Sequence, residues 1–262
     1  MATDANTARA APDLTRLILV GLTAGLFATL FGVGGGIVMV PMLVLLLGFD
    51  PKVATATSLA AIIVTASVGV VTHGLLGNVA WGYAALIGLP AVVGLLGGLW
   101  IKDRISSRAL TLAFAALLLV VAIWLVLKPD EGATEAGLDP ARGVAVALLG
   151  MLAGALAGLF GVGGGILFVP ALTLIVGIPQ LRAEGASLLA IIPVSMLGSW
   201  RQHRARTVRW RAALTMGGAS VITAIAGAFL ADATPPKVLR VLFAVLLLAT
   251  ALQLSLRARA TR

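Results

Sequence analysis

Residues 30–41 read LFGVGGGIVMVP, and residues 159–170 read LFGVGGGILFVP. The two copies lie 129 positions apart, and at that offset the agreement extends well past the glycines. Residues 24–37 match 153–166 at 11 of 14 positions, and residues 54–63 match 183–192 at 6 of 10, with Ser58 falling on Ser187. Pro41 falls on Pro170, Gly48 on Gly177, Gly69 on Gly198, Trp81 on Trp210 and Gly88 on Gly217. A long fixed period of this kind marks a duplicated unit.

Both copies are embedded in apolar sequence. Of the 262 residues, 60% are hydrophobic and 11% are charged, against about 25% charged in soluble domains. Apolar runs recur from Leu17 almost to the C-terminus, and several exceed the ~18 residues that mark a bilayer-crossing helix. The fold class is therefore an all-α polytopic membrane protein. The short alternating strands of a membrane barrel are not visible. Arg16 stands before the first run in the manner of a secretory leader, but that run has a copy deep in the chain, so it is read as a permanent segment. Without cysteine the chain can have no disulfide, thiolate metal centre or cysteine nucleophile. His73 and His203 alone are too few for a metal site, and no cofactor is expected. The net charge of +9 is read as arginines anchoring cytoplasmic loops, not as a nucleic-acid surface.

Five apolar segments fall in each half: 14–31, 36–48, 53–73, 80–101 and 108–128, then 143–160, 165–178, 184–200, 211–231 and 237–256. This organises the chain as a polar tail (1–13), a first transmembrane repeat (14–128), an external linker (129–142), a second repeat (143–256) and a basic cytoplasmic tail (257–262). Arg201, Arg204, Arg206, Arg209 and Arg211 crowd one loop, which the positive-inside rule makes cytoplasmic. Counting crossings from there places Asp232, Lys237 and the acidic linker outside, and both termini inside with Lys102, Arg104 and Arg108. The uncharged loop after His73 falls outside, opposite its repeat mate, the arginine loop. The halves then have opposite orientations, an inverted repeat of the kind found in transporters. The expected location is the inner (cytoplasmic) membrane, with lipid as the surrounding partner and a homo-oligomer left open.

At 1.5 Å per residue, segment 14–31 is about 27 Å long and segment 36–48 only about 20 Å. The pair reads as a helical hairpin broken at Gly32, Gly34, Gly35 and Gly36, re-entrant or spanning. Gly161, Gly163, Gly164 and Gly165 break its copy. Glycine permits left-handed backbone and close approach. Broken backbone at membrane depth survives only inside protein or beside a watery cavity. The helix that restarts after a break presents unpaired N–H groups and its positive dipole end, which together suit an anion. A purely structural alternative is that the glycines allow tight helix packing. Pro41 and Pro170 either begin the second arm or kink it.

Thr55, Thr57, Ser58 and Ser187 open the third segment of each half, where hydroxyls either donate to an anion or bond back to their own helix. No charge is expected at membrane depth, so a buried carboxylate relay is missing. Glu184, His73 and Asp50 read as interfacial groups, and Lys52 and Arg182 as boundary anchors. The five tryptophans read as an interfacial belt. An enzyme is disfavoured. Gly185-Ala-Ser187 partly matches an intramembrane serine protease motif, but Leu188 replaces the expected glycine and both histidines read as loop residues.

The doubled FGVGGGI…VP, the following ATATSLAAI and AEGASLLAI, and the GNVAW and RTVRW turns together resemble the TauE/SafE sulfite-exporter family over residues 14–256. The resemblance implies a permease for small sulfur-containing anions such as sulfite or organosulfonates, with export the expected direction. An anion channel, or an importer of another small organic acid, is the alternative. It places substrate binding at the eight glycines named above together with Thr57, Ser58 and Ser187. Thr57 meets Ala186 in the second copy, so the halves need not contribute equally.

Overall fold

The computed structural model describes residues 13–127 and 139–260. Residues 1–12 of the polar tail, most of the linker and the last two residues lie outside the described residues, as do the expectations that fall on them. The described chain forms ten helices, one for each expected segment. The first half contains α1 (Leu14–Leu30), α2 (Gly36–Leu46), α3 (Pro51–Leu75), α4 (Trp81–Arg104) and α5 (Ser107–Leu127). The second contains α6 (Pro140–Phe160), α7 (Gly165–Ala171), α8 (Gln180–Arg204), α9 (Trp210–Asp232) and α10 (Pro236–Ala260). The helix α7 continues as a π-helical turn over Leu172–Val176.

Local chemistry sets these boundaries. Asp50 and Asp139 each precede a proline at the first helical position and accept a hydrogen bond from the backbone N–H of Lys52 (2.8 Å) and Arg142 (2.7 Å). An acceptor ahead of a proline that lacks the orphan donor is a strong helix start. Neither Pro41 nor Pro170 begins its arm; both lie inside helices that start at Gly36 and Gly165. Pro170 has no N–H to give to the carbonyl four residues back. Just past it, Thr173 Oγ1 donates to Val169 O (3.0 Å) and Pro170 O (3.2 Å). A missing donor and an inserted hydroxyl account for the widened turn.

Seven helices, α3 to α6 and α8 to α10, are long and apolar enough to cross a bilayer. The chain is a multi-pass membrane protein. Its outer surface is built for lipid, with Leu89, Val93, Val120, Ile222 and Val241 exposed on helices, the form in which a chain pairs its own backbone away from water. Trp81, Trp100, Trp200 and Trp210 are also exposed, and the guanidinium groups of Arg104 and Arg204 stack over Trp100 and Trp200 at 3.6 and 4.3 Å. A tryptophan capped by arginine near a helix end suits the headgroup layer.

The helices pack in pairs that exchange under the 129-residue offset. The largest contacts join α4 to α6 and α1 to α9, which are equivalent pairs, while α3 lies against α8 and α5 against α10, each pair its own equivalent. Glycine makes the first two contacts close. A Cβ on Gly94, Gly98 or Gly154 would strike the backbone carbonyl of Met151, Ala155 or Ala91 across the α4–α6 seam. One on Gly21 or Gly25 would strike Met216 or Ser220 across α1–α9. Small residues allow backbones this near in a membrane, where dispersion replaces the hydrophobic effect as the force between helices.

Candidate functional site

The two broken hairpins meet between α3 and α8. Gly32, Gly34 and Gly35 have φ of 66°, 72° and 89°, and Gly161, Gly163 and Gly164 have 71°, 77° and 96°. The two breaks therefore turn the same way, through left-handed conformations that a Cβ disfavours. In α2 the first backbone bonds run from Val38 and Met39 to Gly35 O (3.1 and 2.9 Å). In α7 they run from Leu167 and Phe168 to Gly164 O (3.1 and 3.2 Å). The amides of Gly36 and Ile37, and of Gly165 and Ile166, thus stand ahead of the hydrogen-bond ladder. Neither helix start has a side-chain cap.

The breaks also touch one another. A Cβ on Gly36 would lie 2.5 Å from Val162 Cα, and one on Gly165 would lie 2.5 Å from Val33 Cα. Ile62 and Ile191, repeat mates on α3 and α8, close over the pair: each reaches within 3.0 Å of such a Cβ position. Close packing and left-handed turning are thus both functions of the glycine cluster. Gly36 and Gly165 serve contact, whereas the other six, all at positive φ, serve the turn and also leave no room for a Cβ, which would meet a neighbour within 3.0 Å. A Cβ on Gly32 would lie 2.5 Å from the Cα of Glu184, and one on Gly161 would lie 2.5 Å from the Cα of Thr55.

The hydroxyls divide unequally. Ser187 Oγ donates to Gly32 O at 2.6 Å and so ties α8 to the first break. Its mate Ser58 is buried, and its Oγ has no partner. Thr57 has a partner of its own: its Oγ1 accepts from the backbone N–H of Arg209 (3.2 Å) at the start of α9. It caps a helix far away in sequence, a structural job that depends on tertiary position and was not readable from the chain.

Three residues expected at loops or interfaces are buried. His73 lies in the last turn of α3, not in a loop, and is 0% exposed, with Nε2 3.0 Å from Thr29 O. Glu184 is 0% exposed in the second turn of α8, where Oε1 accepts from Gln180 Nε2 (2.9 Å). Lys102 is 1% exposed in the last turn of α4. These three side chains, expected at loops or boundaries, are instead buried because the helices that carry them run past the apolar segments and pack their polar ends against neighbouring helices. His203, also expected in a loop, lies on α8 and accepts at Nδ1 from Trp210 Nε1 (2.8 Å). Among the described residues no cluster of His, Asp or Glu could hold a metal.

Comparison with known proteins places this doubled glycine-broken arrangement in a family. The family model described as sulfite exporter TauE/SafE matches residues 17–192 and, in a second match, residues 146–262. The chain belongs to the TauE/SafE family. A probable membrane transporter protein of Xylella fastidiosa is 32% identical over 200 residues, 75% of either chain. A probable membrane transporter protein of Methanocaldococcus jannaschii is 29% identical over 194 residues, 71% of this chain and 70% of that one. A sulfite exporter TauE/SafE family protein of Arabidopsis thaliana is 33% identical over 120 residues, 45% of this chain and 26% of the plant protein. This TauE/SafE chain is accordingly a membrane transporter.

Proposed function

We propose that the protein carries small sulfur-containing oxyanions, such as sulfite or an organosulfonate, outward across the cytoplasmic membrane, by alternating access between two oppositely inserted halves. We read it as a carrier with no enzymatic step, with both termini in the cytoplasm. The observation that carries this reading is the meeting of two helix starts without side-chain caps, α2 and α7, at the contact between the halves. Each start concentrates partial positive charge from its unpaired amides, and two of them aimed at one place favour an anion more than either alone. The exchange of helix pairs under the 129-residue offset supports the two-state swap. If one of the two equivalent units, α1 with α9 or α4 with α6, can rock to open a path on one side, the other allows the mirror motion on the opposite side.

In the conformation described, the breaks are in van der Waals contact, so the anion enters as they part. Ser187 then releases Gly32 O or moves with it, and Ser58 supplies a hydroxyl that has no competing bond. Sulfite efflux from proteoliposomes tests the reading. Efflux is expected to saturate with concentration and to be inhibited by related oxyanions. Absence of flux for every sulfur oxyanion would contradict it, as would large unitary currents characteristic of an open channel.

A further inference from the structure

Among the described residues, Lys102 is a buried lysine that the sequence did not reveal. A lysine in the last turn of a membrane helix ordinarily extends its ammonium to the headgroups, as the exposed Arg104 two residues later does. Lys102 turns inward instead. Its Nζ donates to Thr55 Oγ1 at 2.9 Å and, at 3.4 Å, to Lys52 O. No carboxylate lies within ion-pair distance of it among the described residues. Asp50 is engaged elsewhere, Oδ1 accepting from Lys52 N and Oδ2 from Ser107 Oγ (both 2.8 Å). Carbonyls at the end of α4 offset part of the cost of burying this charge, but an ammonium without a counter-ion is an expensive structural element.

Its position gives it a use. Thr55, which holds the ammonium, is the residue whose backbone presses on Gly161 of the second break. One turn further along α3, Ser58 Oγ is buried without a partner, and so is Ser195 Oγ on α8. Ser195 Oγ lies 3.5 Å from where a Cβ on Gly163 would be. One cation, the hydroxyl that holds it and two unsatisfied hydroxyls thus belong to the surroundings of a single glycine break. The first break has a different set. Thr55's repeat mate is Glu184, Lys102's is Ala231, and Ser195's is Ala66.

We propose that Lys102, held by Thr55 at the Gly161 break, is a cationic docking point for the transported oxyanion, with Ser58 and Ser195 donating to its oxygens. The inference rests on the transport reading above and assigns the charge of the site to one break, so that an anion meets the two halves with unequal affinity. A compact oxyanion is the ligand that fits: it supplies the missing counter-charge to Nζ and acceptors to hydroxyls that have none.

Sulfite flux in proteoliposomes, measured against concentration, tests the proposal together with the sulfite-dependent rise in melting temperature of the purified protein. K102M is expected to raise KM about tenfold or more, the loss that one charge-assisted hydrogen bond represents, and to abolish stabilisation by sulfite. K102R retains the charge and should keep KM near that of the natural protein. T55V, which frees the ammonium from its holder, should also raise KM. An unchanged KM with sulfite stabilisation retained in K102M overturns the docking point, as does a fall in maximal rate alone. If K102M does not fold, an unchanged KM in T55V overturns it. Flux absent from the unmutated protein instead overturns the transport reading and the docking point together, an outcome distinct from a defect confined to the variants.

Discussion

A single methyl group at Gly36 or at Gly165 is expected to stop transport while leaving the protein in the membrane. At Gly36 the added carbon would lie 2.5 Å from Val162 Cα, 2.9 Å from Gly161 O and 2.9 Å from Ile62 Cδ1. At Gly165 it would lie 2.5 Å from Val33 Cα, 3.0 Å from Gly32 O and 3.0 Å from Ile191 Cδ1. In both cases the obstruction is backbone of the opposite break, which cannot rotate aside as a side chain can. The breaks must separate, and the two helix starts no longer converge. Overpacking of this kind costs about 1–3 kcal/mol of stability, and misplacing a positioned group by about 1 Å costs about a hundredfold in rate. Flux should fall by that order in both G36A and G165A, with comparable losses because the positions are repeat mates. Valine at Gly35 or Gly164 should be at least as damaging, since φ of 89° and 96° adds backbone strain. Alanine at Gly82, which has nothing within 4 Å, is the matched control. Normal flux in either variant, with the control also normal, would remove the breaks from the transport path.

The second large effect concerns two neighbouring glycines on α4. G98A is expected to unfold the protein or prevent its accumulation, whereas G97A should be nearly silent. A Cβ on Gly98 would collide with the carbonyl of Ala155 and lie 2.7 Å from its carbon, in the seam where α4 lies on α6. Gly94 and Gly154 make equivalent collisions along the same seam, so α6 cannot shift to relieve one without worsening another. Separating two helices that rely on backbone proximity removes dispersion along their length, and a loss of about 4 kcal/mol or more is expected, in the range reserved for severe core defects. Gly97 has nothing within 4 Å, and a change there should stay within about 0.5 kcal/mol. Thermal unfolding in detergent, with membrane yield, separates the two. Equal behaviour of G97A and G98A would mean that the seam is not held by glycine contact.

Much of the architecture was legible because duplication supplies its own control. The 129-residue offset locates the breaks, and the left-handed glycines fall at matching places in both copies. Arm lengths followed from the apolar runs, whereas the role of Pro41 did not, since a proline within a helix and one near its start leave the same local signal. The bond between Thr57 and the amide of Arg209 could not be read from the sequence, because the two are brought together only by the fold.

The buried polar groups were missed for a related reason. Lys102, Glu184 and His73 stand near segment ends, where hydropathy reads any polar residue as interfacial, and only the packing of the ends of α3, α4 and α8 buries them. One signal could have found two of them. Where the halves are compared position by position, Lys102 replaces the alanine at Ala231, and Glu184 stands where Thr55 does. A polar residue in one copy against an apolar or smaller one in the other marks where a duplicated scaffold has been specialised.

The most direct test of the account is to locate the anion itself. Selenite has the shape and charge of sulfite and scatters anomalously, so its place can be fixed in crystals of the protein grown with it. The account predicts a selenite peak between the two breaks, within hydrogen-bonding distance of the amides of Gly36 and Ile37 or of Gly165 and Ile166. Ordered selenite at another depth, with Gly36 still resting on Val162 and Gly165 on Val33, would contradict it.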